Sequence, residues 1–142
     1  MSRWSSRRAP DEPDGLILFD GVCVFCSRWV RFVIDRDEDR RFRFVAIQSE
    51  TGRALAVRYG IDADAPQTNA VILQGRIWFK SDAALAVLSE LPSTRGLGAL
   101  RGIPAGLRNP IYDLIAQNRY RIFGRTDACM VPSAEDRARF IA

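Results

Sequence analysis

Leu16-Ile17-Leu18-Phe19-Asp20-Gly21-Val22-Cys23-Val24-Phe25-Cys26 is the stretch that decides how this chain is read. Four apolar residues run without a break, as in a strand buried on both faces. The run stops at Asp20-Gly21, a turn signal. Two cysteines follow with two residues between them, and residues 22–35 show helical periodicity. Phe25, Cys26, Trp29, Val30, Phe32 and Val33 fall on one side of that helix; Ser27, Arg28, Arg31 and Asp35 fall on the other. Two thiols one helical turn apart, at the start of a helix that follows a buried strand, are placed for reversible disulfide chemistry.

Beyond this stretch, residues 41–47 alternate, with Phe42, Phe44 and Ala46 on one face, and read as a second strand. Ser49 is a good N-cap with Glu50 in the first turn, and Gly60 is a good stop for the helix between them. Residues 61–69 form a loop holding Pro66. Residues 70–73 and 76–80 read as strands joined at Gln74-Gly75, a hairpin signal. Ser81 is expected to cap a helix with apolar Leu85, Val87, Leu88 and Leu91, ended by Pro92. Residues 93–102 read as a glycine-containing loop. Pro104 is placed to open another helix and Pro110 to begin or restart one at Ile111. Tyr112, Ile115, Ala116, Arg119 and Phe123 then recur at helical spacing, with Gly124 as the stop.

The order is β-α-β-α-β-β-α with C-terminal helices. Joining the first two strands by a right-handed crossover makes them parallel, and the hairpin makes the sheet mixed. The expected fold is α/β: a four-stranded mixed sheet with helices on both faces, the thioredoxin-like order of elements, reached without using the cysteines. Residues 16–132 form the expected domain, with a flexible leader at 1–15 and a C-terminal tail at 133–142.

The 142 residues suffice for one domain with a real core, and 47% hydrophobic with 27% charged residues is ordinary for a globular protein. The absence of histidine excludes a Ser-His or Cys-His catalytic pair and any His-ligated metal. Three cysteines exclude a four-thiolate zinc site within one chain. What remains for the pair is redox chemistry, a partial or intersubunit metal site, or two small core residues. The net charge is +4, and Arg95, Arg101, Arg108, Arg119, Arg121 and Arg125 face only Asp113 in their stretch. Without aromatic interleaving or a lysine cluster, a solvated helix face is favoured over an anionic surface. No nucleic-acid partner is expected, and peripheral membrane contact is the less favoured alternative. Residues 1–15 lack the apolar region of a secretory signal, and no apolar run reaches membrane-span length. Cytoplasm is the expected location, where a C-x-x-C is more often catalytic or metal-binding than a structural disulfide.

In disulfide exchange the thiolate is the nucleophile. Cys23 would sit at a helix N-terminus, where unpaired N–H groups and the dipole favour negative charge. Cys26, one turn later on the inner face, fits the more buried resolving role. The expected cycle has Cys23 forming a mixed disulfide with a protein or small-thiol substrate, and Cys26 releasing it. No cofactor or metal is needed beyond the Cys23–Cys26 disulfide itself. An ionised Asp20 beside Cys23 would raise the thiol pKa. That leaves Asp20 either moving the proton of Cys26 or bonding backbone N–H groups in the turn. Cys129 is a third thiol, either resolving or simply packed.

Phe19-Asp20-Gly21-Val22-Cys23-x-x-Cys26 resembles the DCC family of thiol-disulfide oxidoreductases, named for its Asp-Cys-Cys motif. The resemblance continues through 44–49, 81–85, Ile103-Pro104, 111–120 and Asp127-Ala128-Cys129. It implies a thioredoxin-like fold and places the Asp-Cys-Cys roles on Asp20, Cys23 and Cys26. One departure concerns the cis-proline that better-known thioredoxins hold before the strand facing the cysteines. Here Thr68-Asn69 immediately precede Ala70, and Pro66 lies further back, so either the loop brings Pro66 in or Thr68-Asn69 replaces it. An apolar strand ending in Asp-Gly also resembles the opening of haloacid-dehalogenase-like phosphatases, but Val22 stands where that site wants a second Asp. A thioredoxin-like binding module without redox turnover and a metal site shared between two copies are the remaining alternatives.

Overall fold

A computed structural model describes residues 6–21, 23–38, 40–64, 66, 68–122 and 137–141. The elements run β1 (Arg7–Arg8), β2 (Leu16–Phe19), α1 (Val24–Arg36), β3 (Arg43–Ala46), α2 (Glu50–Tyr59), β4 (Ala70–Leu73), β5 (Arg76–Phe79), α3 (Lys80–Glu90), a 3-10 segment (Pro92–Gly102), α4 (Ala105–Ile122) and, after one 3-10 turn, β6 (Phe140–Ile141). They form one mixed sheet in the order β1-β5-β4-β2-β3-β6. The apolar run became its central strand. β2 pairs with β3 in parallel through α1 and with β4 antiparallel on its other side.

Alternation along each strand divides the core into two layers. Ile17, Phe19, Phe44, Val71 and Leu73 pack with Val30 and Val33 of α1 and with Ala83, Ala86 and Val87 of α3. Leu16, Leu18, Val45, Ala70 and Ile72 pack on the opposite face with Leu55 and Ala56 of α2. Phe19, Phe42, Phe44 and Phe79 are all fully buried, each contributing roughly 1.5–3 kcal/mol by leaving water. This is the expected thioredoxin-like arrangement, with α1 and α3 on one face and α2 on the other.

Local signals set the joints. Ser49 Oγ accepts from the Gly52 N–H at 3.1 Å, and α2 ends at Gly60 in the left-handed conformation. A Cβ at Gly52 would lie 1.9 Å from the Ala46 carbonyl oxygen. Only a glycine lets the first turn of α2 sit this close to the end of β3. Gln74 and Gly75 both have positive φ (55° and 75°), the mirror-image turn that matches strand twist in a two-residue hairpin.

The sheet has six strands where four were expected, and the two added strands come from the expected leader and tail. Arg7 and Arg8 pair antiparallel with Ile77 and Arg76. The Arg7 guanidinium lies over the rings of Tyr59 and Phe79, and its Nη2 donates to the Tyr59 carbonyl at 2.6 Å. Glu12 accepts from Arg58 and from the Tyr59 hydroxyl. Burial, reinforced by the Glu12 carboxylate, holds that hydroxyl above the usual tyrosine pKa. At the other end, Phe140 packs on Phe19 and Phe44, and Phe140–Ile141 pair in parallel with β3. Neither segment carries an apolar run. Backbone bonding and arginine–aromatic contacts anchor the first, and one aromatic and a buried ion pair anchor the second.

Three smaller expectations also change. Ser81 does not cap α3. The cap position is Phe79 with no side-chain bond, while the Ser81 hydroxyl donates to Asn109 Oδ1 at 2.5 Å and accepts from Arg108 Nη1 at 2.8 Å. It ties α3 to α4 instead. The glycine-containing loop is wound into 3-10 turns, anchored where Thr94 Oγ1 donates to the Leu88 carbonyl at 2.9 Å. Pro110 neither starts nor restarts a helix: α4 runs through it from Ala105, forgoing the one ladder bond that proline cannot donate. Of its expected apolar face, Tyr112, Ile115 and Ala116 line a cavity, Ile115 staying 42% exposed. Leu107, Ile111 and Leu114, two-thirds exposed, point to solvent. Among the described residues no helix is long and apolar enough to cross a membrane.

Candidate active site

Strand register determines which residues meet the cysteines. Phe19 is opposite Ala46 in the parallel pair, so two residues further on Gln48 comes alongside Gly21. Leu18 is opposite Ala70 in the antiparallel pair, so the loop residues Thr68 and Asn69 pass the same end of β2. Asp20, the two cysteines, Gln48 and Asn69 therefore converge from three different parts of the chain.

Cys23 is the N-cap of α1, and its Sγ accepts the Cys26 N–H at 3.3 Å. One of the orphan donors of the helix end is thereby pointed at sulphur. Cys23 and Cys26 are not joined in a disulfide. The expected contrast in exposure is absent: Cys23 is 0% and Cys26 3% exposed. The reason is local, since Cys23 is folded into the turn that caps α1 rather than projecting from it. Of the two sulphurs, Cys26 is the one that lines the cavity.

Asp20 is fully buried. Its Oδ1 accepts from Gln48 Nε2 at 2.7 Å, while Gln48 Oε1 accepts from the Gly21 N–H at 2.8 Å. The Asp20 carbonyl accepts from the Cys23 N–H at 3.2 Å. Asp20 and Gln48 thus clamp the turn that delivers Cys23 to the start of α1. Gln48 was not singled out by its residue type. Only the parallel register, counted two residues past the end of each strand, points to it.

The Asn69 side-chain amide lies 3.9 Å from Cys26 Sγ, and the Asn69 N–H donates to the Tyr112 hydroxyl at 3.1 Å. Thr68 Oγ1 donates to the Asn69 carbonyl at 2.6 Å and accepts from the Lys80 N–H at 2.7 Å. Thr68 and Asn69, rather than Pro66, are the loop residues that line the cavity. Lys80, the chain's single lysine, has φ of 53°, a conformation that costs a non-glycine residue about 1 kcal/mol or more. Its Nζ is 2.6 Å from Asp113 Oδ1, with the lysine side chain 10% exposed.

Between α1, α3 and α4 these residues border a cavity of about 210 Å³. Trp29, Ala83, Ala84, Val87 and Ile115 supply much of its apolar wall, with Cys26, Asn69, Thr68, Tyr112 and Lys80 as its polar part. Among the described residues no three metal-ligating side chains come together. Cys129 lies outside the described residues.

The family model for DCC1-like thiol-disulfide oxidoreductases matches residues 17–125. The chain is similar to YuxK, an uncharacterized protein of Bacillus subtilis, at 38% identity over 130 residues, covering 91% of this chain and 95% of that protein. It is also similar to a chloroplastic DCC family protein of Arabidopsis thaliana, at 38% identity over 116 residues, covering 80% of this chain and 67% of that one. No solved structure matches it significantly.

Proposed function

The chain belongs to the DCC1-like thiol-disulfide oxidoreductase family, and from that premise we propose that Cys23 and Cys26 exchange disulfides with a thiol or disulfide substrate, Cys23 as nucleophile and Cys26 as resolving thiol. The observation that carries the assignment is the Cys23 sulphur at the N-cap of α1, accepting the Cys26 N–H. In the reducing direction the Cys23 thiolate attacks one sulphur of the substrate disulfide, and the first thiol leaves with a proton. Cys26 then loses its proton, attacks Cys23, and releases the second thiol. Two electrons pass to the substrate, and the chain is left with a Cys23–Cys26 disulfide. With Cys23 buried and outside the cavity lining, its attack requires local opening of the turn before α1.

A specific observation favours a second order of events: Cys26, not Cys23, lines the cavity. The serine variants separate the two. With Cys23 attacking first, Cys26→Ser accumulates a mixed disulfide with a trapping substrate and Cys23→Ser does not. Accumulation on Cys23→Ser alone would reverse the roles, and accumulation on neither would remove the exchange function.

In this cycle Asp20 positions the turn through Gln48. Asp20→Asn keeps an oxygen to accept from Gln48, so the rate of mixed-disulfide resolution should be unchanged, whereas Asp20→Ala should slow it. A resolution rate that falls in Asp20→Asn, with pH dependence lost, would make the carboxylate a proton carrier instead.

A further inference from the structure

We propose that the cavity beside Cys26 is a substrate pocket selecting small disulfides with an uncharged, apolar carbon skeleton, such as a five-membered dithiolane ring with a short chain, over glutathione disulfide. This inference rests on the exchange function proposed above and specifies its substrate class.

Three features of the cavity point the same way. Its volume of about 210 Å³ gives room for a ring and a short chain. Its walls are Trp29 from α1, Ala83, Ala84 and Val87 from α3, and Ile115 from α4. The two adjacent alanines on α3 help leave the space open. The polar groups of the lining are already engaged with protein: Lys80 with Asp113, and Tyr112 with the Asn69 N–H. Among the described residues Lys80 is the one cation of the lining, and Asp113 neutralises it, so the charged ends of glutathione would lose water without gaining a counterion there. Binding an apolar skeleton, by contrast, gains free energy with each methylene buried.

A ring seated here would place its S–S bond beside Cys26, within reach of Cys23 once the turn before α1 opens. Exchange then breaks the S–S bond of the dithiolane and forms the Cys23–Cys26 bond. The two thiol protons of the chain end on the two sulphurs of the released dithiol. Two electrons move from chain to substrate, which is itself the oxidant, so a single turnover needs no other reactant.

The test is the single-turnover oxidation of the reduced, full-length chain by lipoamide and by glutathione disulfide, with dithiothreitol in place of the chain as the reference dithiol. The ratio of the two rates should exceed the dithiothreitol ratio by about tenfold or more, the discrimination that burying two methylenes provides. Ala84→Phe, which fills the cavity, should bring the ratio back towards the reference, and Ala84→Leu serves if the larger side chain impairs folding. A ratio equal to that of dithiothreitol, or one indifferent to both substitutions, overturns the pocket while leaving exchange intact. Failure of both disulfides to oxidise the Cys23–Cys26 pair overturns the exchange function itself.

Discussion

Cys23→Ser should lose catalysed disulfide exchange altogether, by a factor on the order of 10³ or more, as when a reacting nucleophile is removed. The loss is expected whichever cysteine attacks first, because a C-x-x-C cycle needs one sulphur to attack and the other to resolve. The variant is a clean one. Serine is among the best N-cap residues, so its Oγ can take over the Cys26 N–H that Cys23 Sγ accepts at 3.3 Å. The fold should therefore survive, and a lost activity is then a loss of chemistry. Steady-state reduction of a chromogenic disulfide, alongside a thermal melt, checks both. Retained exchange in a folded Cys23→Ser would mean that the pair is not the reacting centre.

The largest stability effect is expected at Asp37. Its carboxylate accepts from the Arg41 and Phe42 N–H groups at 3.0 and 2.8 Å and pairs with Arg139. Asp37 and Arg139 are 6% and 5% exposed. Asp37→Ala leaves a buried guanidinium without its carboxylate and strips two N–H groups of their acceptor at the turn from α1 into β3. The expected cost is about 3–5 kcal/mol, a fall in Tm of roughly 10–20 °C for a domain of this size. Arg139→Met should cost less, since it removes the charge and leaves the two N–H bonds in place. Adding Arg139→Met to Asp37→Ala should recover part of the loss. Equal losses for the two single variants, or no recovery in the double, would show that the ion pair is not the anchor of β6.

The central strand, the first helix, the hairpin and the second helix were legible because each carries its own local signal: an apolar run, a helical stripe, Gln74-Gly75, and Ser49 with Gly60. The edge strands were not, since a two-residue strand such as Arg7–Arg8 has too few side chains to show a period. Ser81 misled because a serine before a helical pattern is a cap in isolation, whereas here α4 supplies better partners in Asn109 and Arg108. Cys23 and Cys26 were legible as a pair from spacing, and the inner position of Cys26 from the helical stripe; the burial of Cys23 was not, because it depends on how the turn at Asp20-Gly21 closes over α1. Gln48 and Lys80 reach the site only through strand register, whereas Thr68-Asn69 was already one of the two candidates to face the cysteines. Lys80 in particular looks in sequence like the end of a strand, and it becomes part of the site because Thr68 and Asp113 hold both of its ends.

The most direct measurement is a count of free thiols in the purified chain before and after mild oxidation, with the new bond located by mass spectrometry. Two of the three thiols should disappear reversibly, joined as Cys23–Cys26, and either Cys23→Ser or Cys26→Ser should prevent that loss. Three thiols that survive oxidation, or a bond formed elsewhere, would show that the pair at the head of α1 is not redox-active.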